Sequence, residues 1–300
     1  MKKLLLFVAT AMLMVSCNWD KGGNEQIPPK LVERLKYSDG SSVTFAYNNG
    51  YVTNIDFSNG DSYRLNYDFA NAYNWSIIIE SNLWTSPREL KIENGYIKKL
   101  YKGQTLVSEL DYDSYYNYNL TKVDNNELLA TSKFVWPGFN TSINLPYTQT
   151  DSWYESDANM SSERYVSRRV ITYSKWDASA ANVLSYMNLL PLVFPEYSEL
   201  TGIDKHIIAA LGGLRTTYLP SSIKIETIVP AESGEEPENG DEADGDDGSE
   251  EDDNVSVSVR TFSYECDAKG YVTAVFAGSE ERLERLFTVE YRTVDVAAGE

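Results

Sequence analysis

Histidine and cysteine are almost missing from this chain, which has one His and two Cys in 300 residues. A single imidazole excludes the paired-histidine zinc motif of metallopeptidases and any site built on several histidine ligands. Two cysteines exclude a disulfide framework and a four-cysteine zinc site. Basic residues are also scarce. Against 45 Asp and Glu there are only 26 Lys and Arg, a net charge of −19, whereas an electrostatic binder of nucleic acid needs clustered cations to neutralise phosphates. The Gly-x-Ser-x-Gly nucleophile elbow of α/β-hydrolases does not occur either.

What the N-terminus does contain is an address. Lys2 and Lys3 precede an apolar run, Leu4 to Val15, of twelve residues, where a membrane-spanning helix needs about 20. Residues 1–16 therefore read as a signal peptide. Its end, Leu13-Met14-Val15-Ser16-Cys17, resembles the lipobox of bacterial lipoproteins. The resemblance implies cleavage before Cys17, acylation of that cysteine, and a membrane partner reached through the lipid. Asn18 rather than Asp after the cysteine fits sorting to the outer membrane, on either its periplasmic or its cell-surface face. Residues 17–30, rich in Gly, Pro and polar side chains, read as the lipidated cysteine and a flexible tether. With Cys17 acylated, only Cys266 remains and no intramolecular disulfide forms.

From Leu31 to about residue 295 a single domain is expected, and its hydrophobic period is two. Tyr63, Leu65 and Tyr67 alternate with Ser62, Arg64 and Asn66, and Leu90 and Ile92 alternate with Glu89, Lys91 and Glu93. That is the pattern of strands with one buried and one wet face. A hairpin unit recurs. Asn49-Gly50-Tyr51-Val52 is followed by Ile55, Asn94-Gly95-Tyr96-Ile97 by Leu100, and Lys269-Gly270-Tyr271-Val272 by Val275. Asn-Gly supplies the positive φ angles of a tight turn. The fold expected is mainly β, an antiparallel meander forming a curved sheet or partly open barrel. Val255, Val257 and Val259 share one parity and Phe262 and Tyr264 the other, which predicts a β-bulge near Arg260.

These units are similar to the tyrosine-rich YD repeats of secreted shell-forming proteins. Together with the lipobox, the segment Leu219-Pro220-Ser221-Ser222-Ile223 and the hairpin from Phe262 to Val275, they more closely resemble a family of gut Bacteroidota lipoproteins with a porin-like fold. The resemblance implies a cell-envelope protein and transfers no catalytic residues. Transmembrane strands need about 9–11 residues with an apolar outer face. Most strands here are shorter or charged on one face, so "porin-like" is taken as shape, with the lipid as anchor.

A two-helix insertion is expected at about 178–212. Asp177 would cap a first helix whose apolar face is Ala180, Val183, Leu184, Met187 and Leu190, stopped by Pro191. Thr201-Gly202-Ile203-Asp204 has a capping-box pattern before a second helix, with Ile203, Ile207 and Leu211 as its stripe and Gly212-Gly213 as its exit. His206 falls opposite that stripe and is expected to face solvent, which argues against a catalytic role.

Three functions stay open at this level. Trp75, Trp84, Tyr115, Tyr116, Trp136 and Trp153 fall in or beside irregular segments. Aromatic faces there could stack on sugar rings, so a non-catalytic binding or interaction module for a glycan, or for another envelope protein, leads. If the same rings are packing residues, the protein is a purely structural envelope component. A carboxylate pair would make it a glycoside hydrolase; 45 acids select no pair, though Glu80, Glu155 and Asp157 sit near Trp75, Trp84 and Trp153. No cofactor and no metal site is expected. The acidic tract from Glu232 to Asp253 holds 13 acids and no base, but its glycines do not fit calcium-loop spacing. It reads as a disordered loop over 230–254 joining two neighbouring strands.

Overall fold

The computed structural model describes residues 30–69, 74–93, 96–112, 118–124, 127–135, 145–156, 163–176, 187–211, 218–229 and 254–293. Cys17, its signal peptide, the tether and the acidic tract lie outside the described residues, as does most of the first expected helix.

The period-two segments become strands β1 (Lys30–Tyr37), β2 (Ser42–Asn48), β3 (Tyr51–Phe57), β4 (Ser62–Asp68), β5 (Asn74–Ser81), β6 (Arg88–Glu93), β7 (Tyr96–Lys102) and β8 (Thr105–Tyr112). The series continues as β9 (Tyr118–Asp124), β10 (Glu127–Val135), β11 (Thr148–Ser156), β12 (Glu163–Lys175), β13 (Pro220–Val229), β14 (Asn254–Cys266), β15 (Val272–Ser279) and β16 (Arg282–Thr293). Each pairs antiparallel with its sequence neighbours, and β1 pairs with β16 from Lys30↔Thr293 to Tyr37↔Phe287. The mainly β meander is therefore a closed barrel of sixteen strands, closed fully rather than partly open. Closure hydrogen-bonds the two terminal strands to each other and removes the sheet edges an open meander would expose.

The wall is dry inside and wet outside. Leu35, Phe45, Ile55, Leu65, Ile77, Ile79, Leu90, Leu100, Leu110 and Leu120 point into the lumen and are buried. Their alternating neighbours Arg34, Asp56, Arg64, Lys91 and Glu109 point outward. Cross-strand partners Lys99 and Glu109 form an outer ion pair at 3.1 Å. A barrel in lipid needs the reverse, a continuous apolar band about 25 Å tall on the outside.

The repeated hairpin unit encodes a bulge. Val52 and Ile55, Ile97 and Leu100, and Val272 and Val275 are all buried on the same face though three residues apart, an odd spacing that a regular strand cannot satisfy. The register slips by one residue between each pair, at Thr53, Lys98 and Thr273. The same occurs in β1 between Val32 and Leu35, at Glu33. A tyrosine from a neighbouring strand closes three of these bulges. Tyr47 Oη donates to the Val32 carbonyl at 2.7 Å, Tyr67 Oη to Val52 at 2.8 Å, and Tyr291 Oη to Val272 at 2.8 Å. Each carbonyl belongs to the residue before the extra one, where the ladder is interrupted. Burial raises all three phenols well above their ordinary pKa, so they remain donors.

Strands alternate between two rims. The terminal rim carries Lys30, Thr293 and the ends of β12 and β13 between which the insertion leaves and re-enters the wall. The distal rim carries the β13–β14 connection. The insertion fills the lumen between them, through helix α1 (Leu190–Val193), two 3-10 turns (Pro195–Tyr197 and Glu199–Thr201) and helix α2 (Lys205–Leu211). Leu189, Leu190, Phe194, Tyr197, Ile207 and Ile208 are buried against the inner wall. The Phe134 and Tyr197 rings lie 5.5 Å apart, Tyr173 and Phe194 6.0 Å. Ser108 Oγ donates to the Thr201 carbonyl at 3.0 Å.

Four expectations are corrected. Pro191 lies in the first turn of α1 rather than ending a helix, a position where its missing N–H would have had no intrahelical partner anyway. Asp204, not Thr201, caps α2, its Oδ1 accepting the His206 amide at 2.8 Å, because Glu199–Thr201 is already a 3-10 turn ending on left-handed Gly202. His206 is only 5% exposed, since a helix inside a barrel has wall on every side. No bulge occurs near Arg260, for β13 and β14 pair without a slip from Ser222↔Thr261 to Val229↔Asn254. The three valines therefore face outward, into water.

Candidate functional site

The described members of the expected aromatic set, Trp75, Trp84 and Trp153, are not brought to one place. Trp75, on β5 at the terminal rim, joins Tyr51, Tyr67 and Phe69 in a platform of rings. Tyr67 and Phe69 stack with centroids 5.8 Å apart and planes at 12°. Trp75 lies 6.1 Å from Tyr67 and 5.4 Å from Phe69, and Tyr51 5.5 Å from Phe69. Hairpin geometry builds the platform. Tyr51 opens β3, Tyr67 and Phe69 end β4 and its extension, and Trp75 opens β5, so all four converge on adjacent turns. Phe69 is the open ring, 45% exposed. Tyr115, Tyr116 and Trp136 lie outside the described residues. The strands flanking them, β8 to β11, have their adjoining ends at this same rim.

Trp84 sits between β5 and β6 at the opposite, distal rim. It packs on Tyr63 at 5.1 Å, and the Arg88 guanidinium lies 4.2 Å over its ring. Trp153 is on the inner face of β11 with Arg169 5.0 Å over it. Both are half-buried against the core. Sequence reasoning missed Tyr51, Tyr67 and Phe69 as members of the platform. The signal was present: Tyr51 follows the Asn-Gly turn of the repeated unit, and Tyr67 and Phe69 share a strand parity.

Two polar clusters are built into the lumen. Asp151, its side chain fully buried, accepts from Ser132 Oγ at 2.6 Å, Gln149 Nε2 at 3.0 Å and Arg169 at 2.6 Å. Arg169 also reaches Glu199 of the insertion at 2.8 Å, and Gln149 donates to the Glu196 carbonyl at 3.1 Å. Burial pushes the Asp151 carboxyl up, and Ser132, Arg169 and Gln149 pull it back only in part. This is a clamp between plug and wall. The Asp151, Gln149 and Arg169 groups are spent on each other and on the plug, while Glu196 Oε2 beside them is buried without a partner among the described residues.

At the distal rim Asp204 Oδ1 meets His206 Nδ1 at 2.8 Å, and His206 Nε2 meets Tyr37 Oη at 2.8 Å. The order carboxylate–imidazole–hydroxyl is that of a nucleophilic triad, but the hydroxyl is a phenol. Burial, aided by Asp204 and Asp39, raises Tyr37 far above its ordinary value, so it does not ionise to attack. The His206 ring is edge-on to Phe57 at 5.0 Å, which completes a packed joint. Burial alone would raise Asp204, but the hydrogen bonds and charge of His206 outweigh it and hold the carboxyl below its ordinary value.

Of the carboxylates considered for hydrolysis, only the Glu80 side chain falls among the described residues. Glu80 is on the outer face of β5, opposite in parity to Trp75, and accepts from Asn66 at 3.3 Å. The Glu155 side chain and Asp157 lie outside the description. Among the described residues no group of three or more His, Cys, Asp or Glu could hold a metal ion.

Comparison with known proteins bears on the fold. The chain is similar to the crystal structure of a porin-like protein from Bacteroides vulgatus ATCC 8482, with a TM-score of 0.50 at 12% identity over 88% of this chain and 100% of that one. A porin-like protein from Bacteroides uniformis ATCC 8492 aligns at a TM-score of 0.40 and 14% identity, over 88% of this chain and 98% of the other. No family model and no curated protein matches. The porin-like β-barrel architecture is thus common to this chain and the first of these proteins.

Proposed function

We propose that this barrel is a non-catalytic lipoprotein of the bacterial cell envelope, anchored to the outer membrane through Cys17, that binds a glycan on the aromatic platform of its terminal rim. The observation that carries the reading is the four-ring group of Tyr51, Tyr67, Phe69 and Trp75, with Phe69 standing 45% exposed. Flat, partly exposed rings offer an apolar face to the C–H face of a sugar and need no reactive group. The filled lumen and charged outer wall speak against conduction and against a lipid-embedded wall. The tether joins the barrel at Lys30, on the platform's own rim, so a glycan of the anchoring envelope is within reach.

A glycan array with the purified protein tests the reading. Binding that disappears in Phe69→Ala with the melting curve retained, and also in Trp75→Ala, is the expected result. A blank array refutes it. The packing of Trp75, Trp84 and Trp153 on the core favours a purely structural role instead, and in that case both substitutions lower the melting temperature and nothing else. The anchor is tested separately by Cys17→Ser, which should release the protein from membranes.

A further inference from the structure

We propose that the distal half of β14 is a docking edge that accepts, by strand addition, an extended segment of a partner protein in which small polar and β-branched residues alternate between flanking lysines or arginines. β14 is paired with β13 over Asn254–Thr261, but β15 covers its other side only over Thr261–Cys266. Among the described residues, the second edge of Asn254–Arg260 meets no strand. Half of the backbone N–H and C=O groups of such a segment point sideways, toward where the next strand would lie.

Everything about the segment suits an added strand. Its sequence is Asn254-Val255-Ser256-Val257-Ser258-Val259-Arg260, and all seven residues are exposed. Val255, Val257 and Val259 are 55%, 56% and 54% exposed on the outer face, on a wall whose outer face is otherwise mostly polar. Ile228 of β13 lies directly opposite Val255 and widens the apolar row. An added strand with β-branched residues at alternate positions continues that row, and small polar residues continue the row of Ser256 and Ser258. The foot of the edge is rigid, because Arg260 is tied to Glu196 of the plug at 2.6 Å.

Charge selects the partner's ends. Glu280 and Glu281, both exposed, form the β15–β16 turn where β15 stops and the open edge begins. Glu226, opposite Val257 on the outer face, is matched by Lys224 at 2.8 Å, which leaves Glu280 and Glu281 as the acidic end of the edge. A strand on this edge starts beside these two exposed carboxylates, so cationic flanks complement it. A second copy of the chain does not fit: it brings the same negative charge, and one short ladder buries far less than the roughly 1,200 Å² of a stable dimer.

The test uses the purified full-length protein and a synthetic peptide in which valine and threonine alternate between paired lysines. Binding is read by fluorescence polarisation and by hydrogen exchange at the amides of 254–260. The expected result is saturable binding that slows exchange at those amides. It weakens by about tenfold in Val257→Lys, a substitution at an exposed position, and is lost when alternate peptide nitrogens are methylated. Equal binding of a lysine-flanked glycine–serine peptide would reduce the effect to bulk charge and overturn the proposal. So would slow exchange, in the protein alone, at those amides of 254–260 that do not bond β13, whether because another segment of the chain covers the edge or because the protein sediments as a dimer.

Discussion

The inner and outer faces of the barrel wall are made by the same strands, yet they follow opposite rules. Inside, Leu35, Ile55, Ile79, Leu90 and Leu100 are fully buried and face a plug that is itself mostly apolar. Outside, Lys91, Lys99 and Glu109 stand in water. Porin architecture in lipid reverses this, with apolar residues outward and a wet lumen. The comparison teaches that barrel closure fixes a shape, while the choice of face for the apolar residues fixes the solvent on each side.

The largest expected effect breaks the inner face. Ile207, on α2, is fully buried, and Ile207→Ala should destabilise the fold by about 2–5 kcal/mol through lost burial and a residual cavity. The control on the outer face, Lys91→Ala, should stay within about 0.5 kcal/mol. Urea titrations measure both, and equal losses would collapse the distinction between the faces.

A smaller loss is expected at the bulges, where inner and outer parity are kept in step. Tyr47→Phe removes the donor to the Val32 carbonyl while keeping the ring, and should cost about 1 kcal/mol. Tyr147→Phe provides the comparison, because that residue is 60% exposed and no bulge carbonyl depends on its hydroxyl. Equal losses in thermal melts would show that the bulge contact contributes nothing particular.

The plug–wall joint should register in the acid limb of the stability curve. The folded pKa of Asp204 lies below its ordinary value, so its contribution is fully present above the unfolded carboxylate pKa and is lost as pH falls through the folded one. Asp204→Asn should flatten that limb, leaving less difference between pH 5 and pH 3 than in the parent. An unchanged limb assigns the acid sensitivity to other carboxylates. The smallest effect is expected from deleting 232–253. The connection joins adjacent partners Val229 and Asn254, and loop-closure entropy depends only weakly on length. A large fall in melting temperature would show that the tract contacts the barrel.

Much of the wall was legible because a strand's period is local. Tyr63-Arg64-Leu65-Asn66-Tyr67 needs no partner to declare which side chains share a face. The bulges were also written in the sequence, in the three-residue spacing of Val52 and Ile55, though that spacing is meaningful only once both residues are known to face one core. The binding candidates were less legible. Trp75 and Trp84 are nine residues apart in sequence but lie at opposite rims, because β5 runs the length of the barrel between them. Tyr51, Tyr67 and Phe69 are spread over two hairpins and meet Trp75 only when β3, β4 and β5 are aligned.

The amino-acid order by itself determined that this is a meander of antiparallel strands with an insertion before β13, since alternation, Asn-Gly turns and short connections act between neighbours. Only the tertiary structure decided that the meander closes and that the insertion lies inside it. Pairing β1 with β16 joins residues 250 or more positions apart, and no local pattern encodes such a contact. The environment of His206 follows from the same closure. A helix period places it on a flank, about 100° from the centre of the Ile203, Ile207 and Leu211 stripe, and open water would have been the answer on a sheet with a free side. Within a closed wall both faces of α2 are covered, and the imidazole becomes the joint between Asp204 and Tyr37.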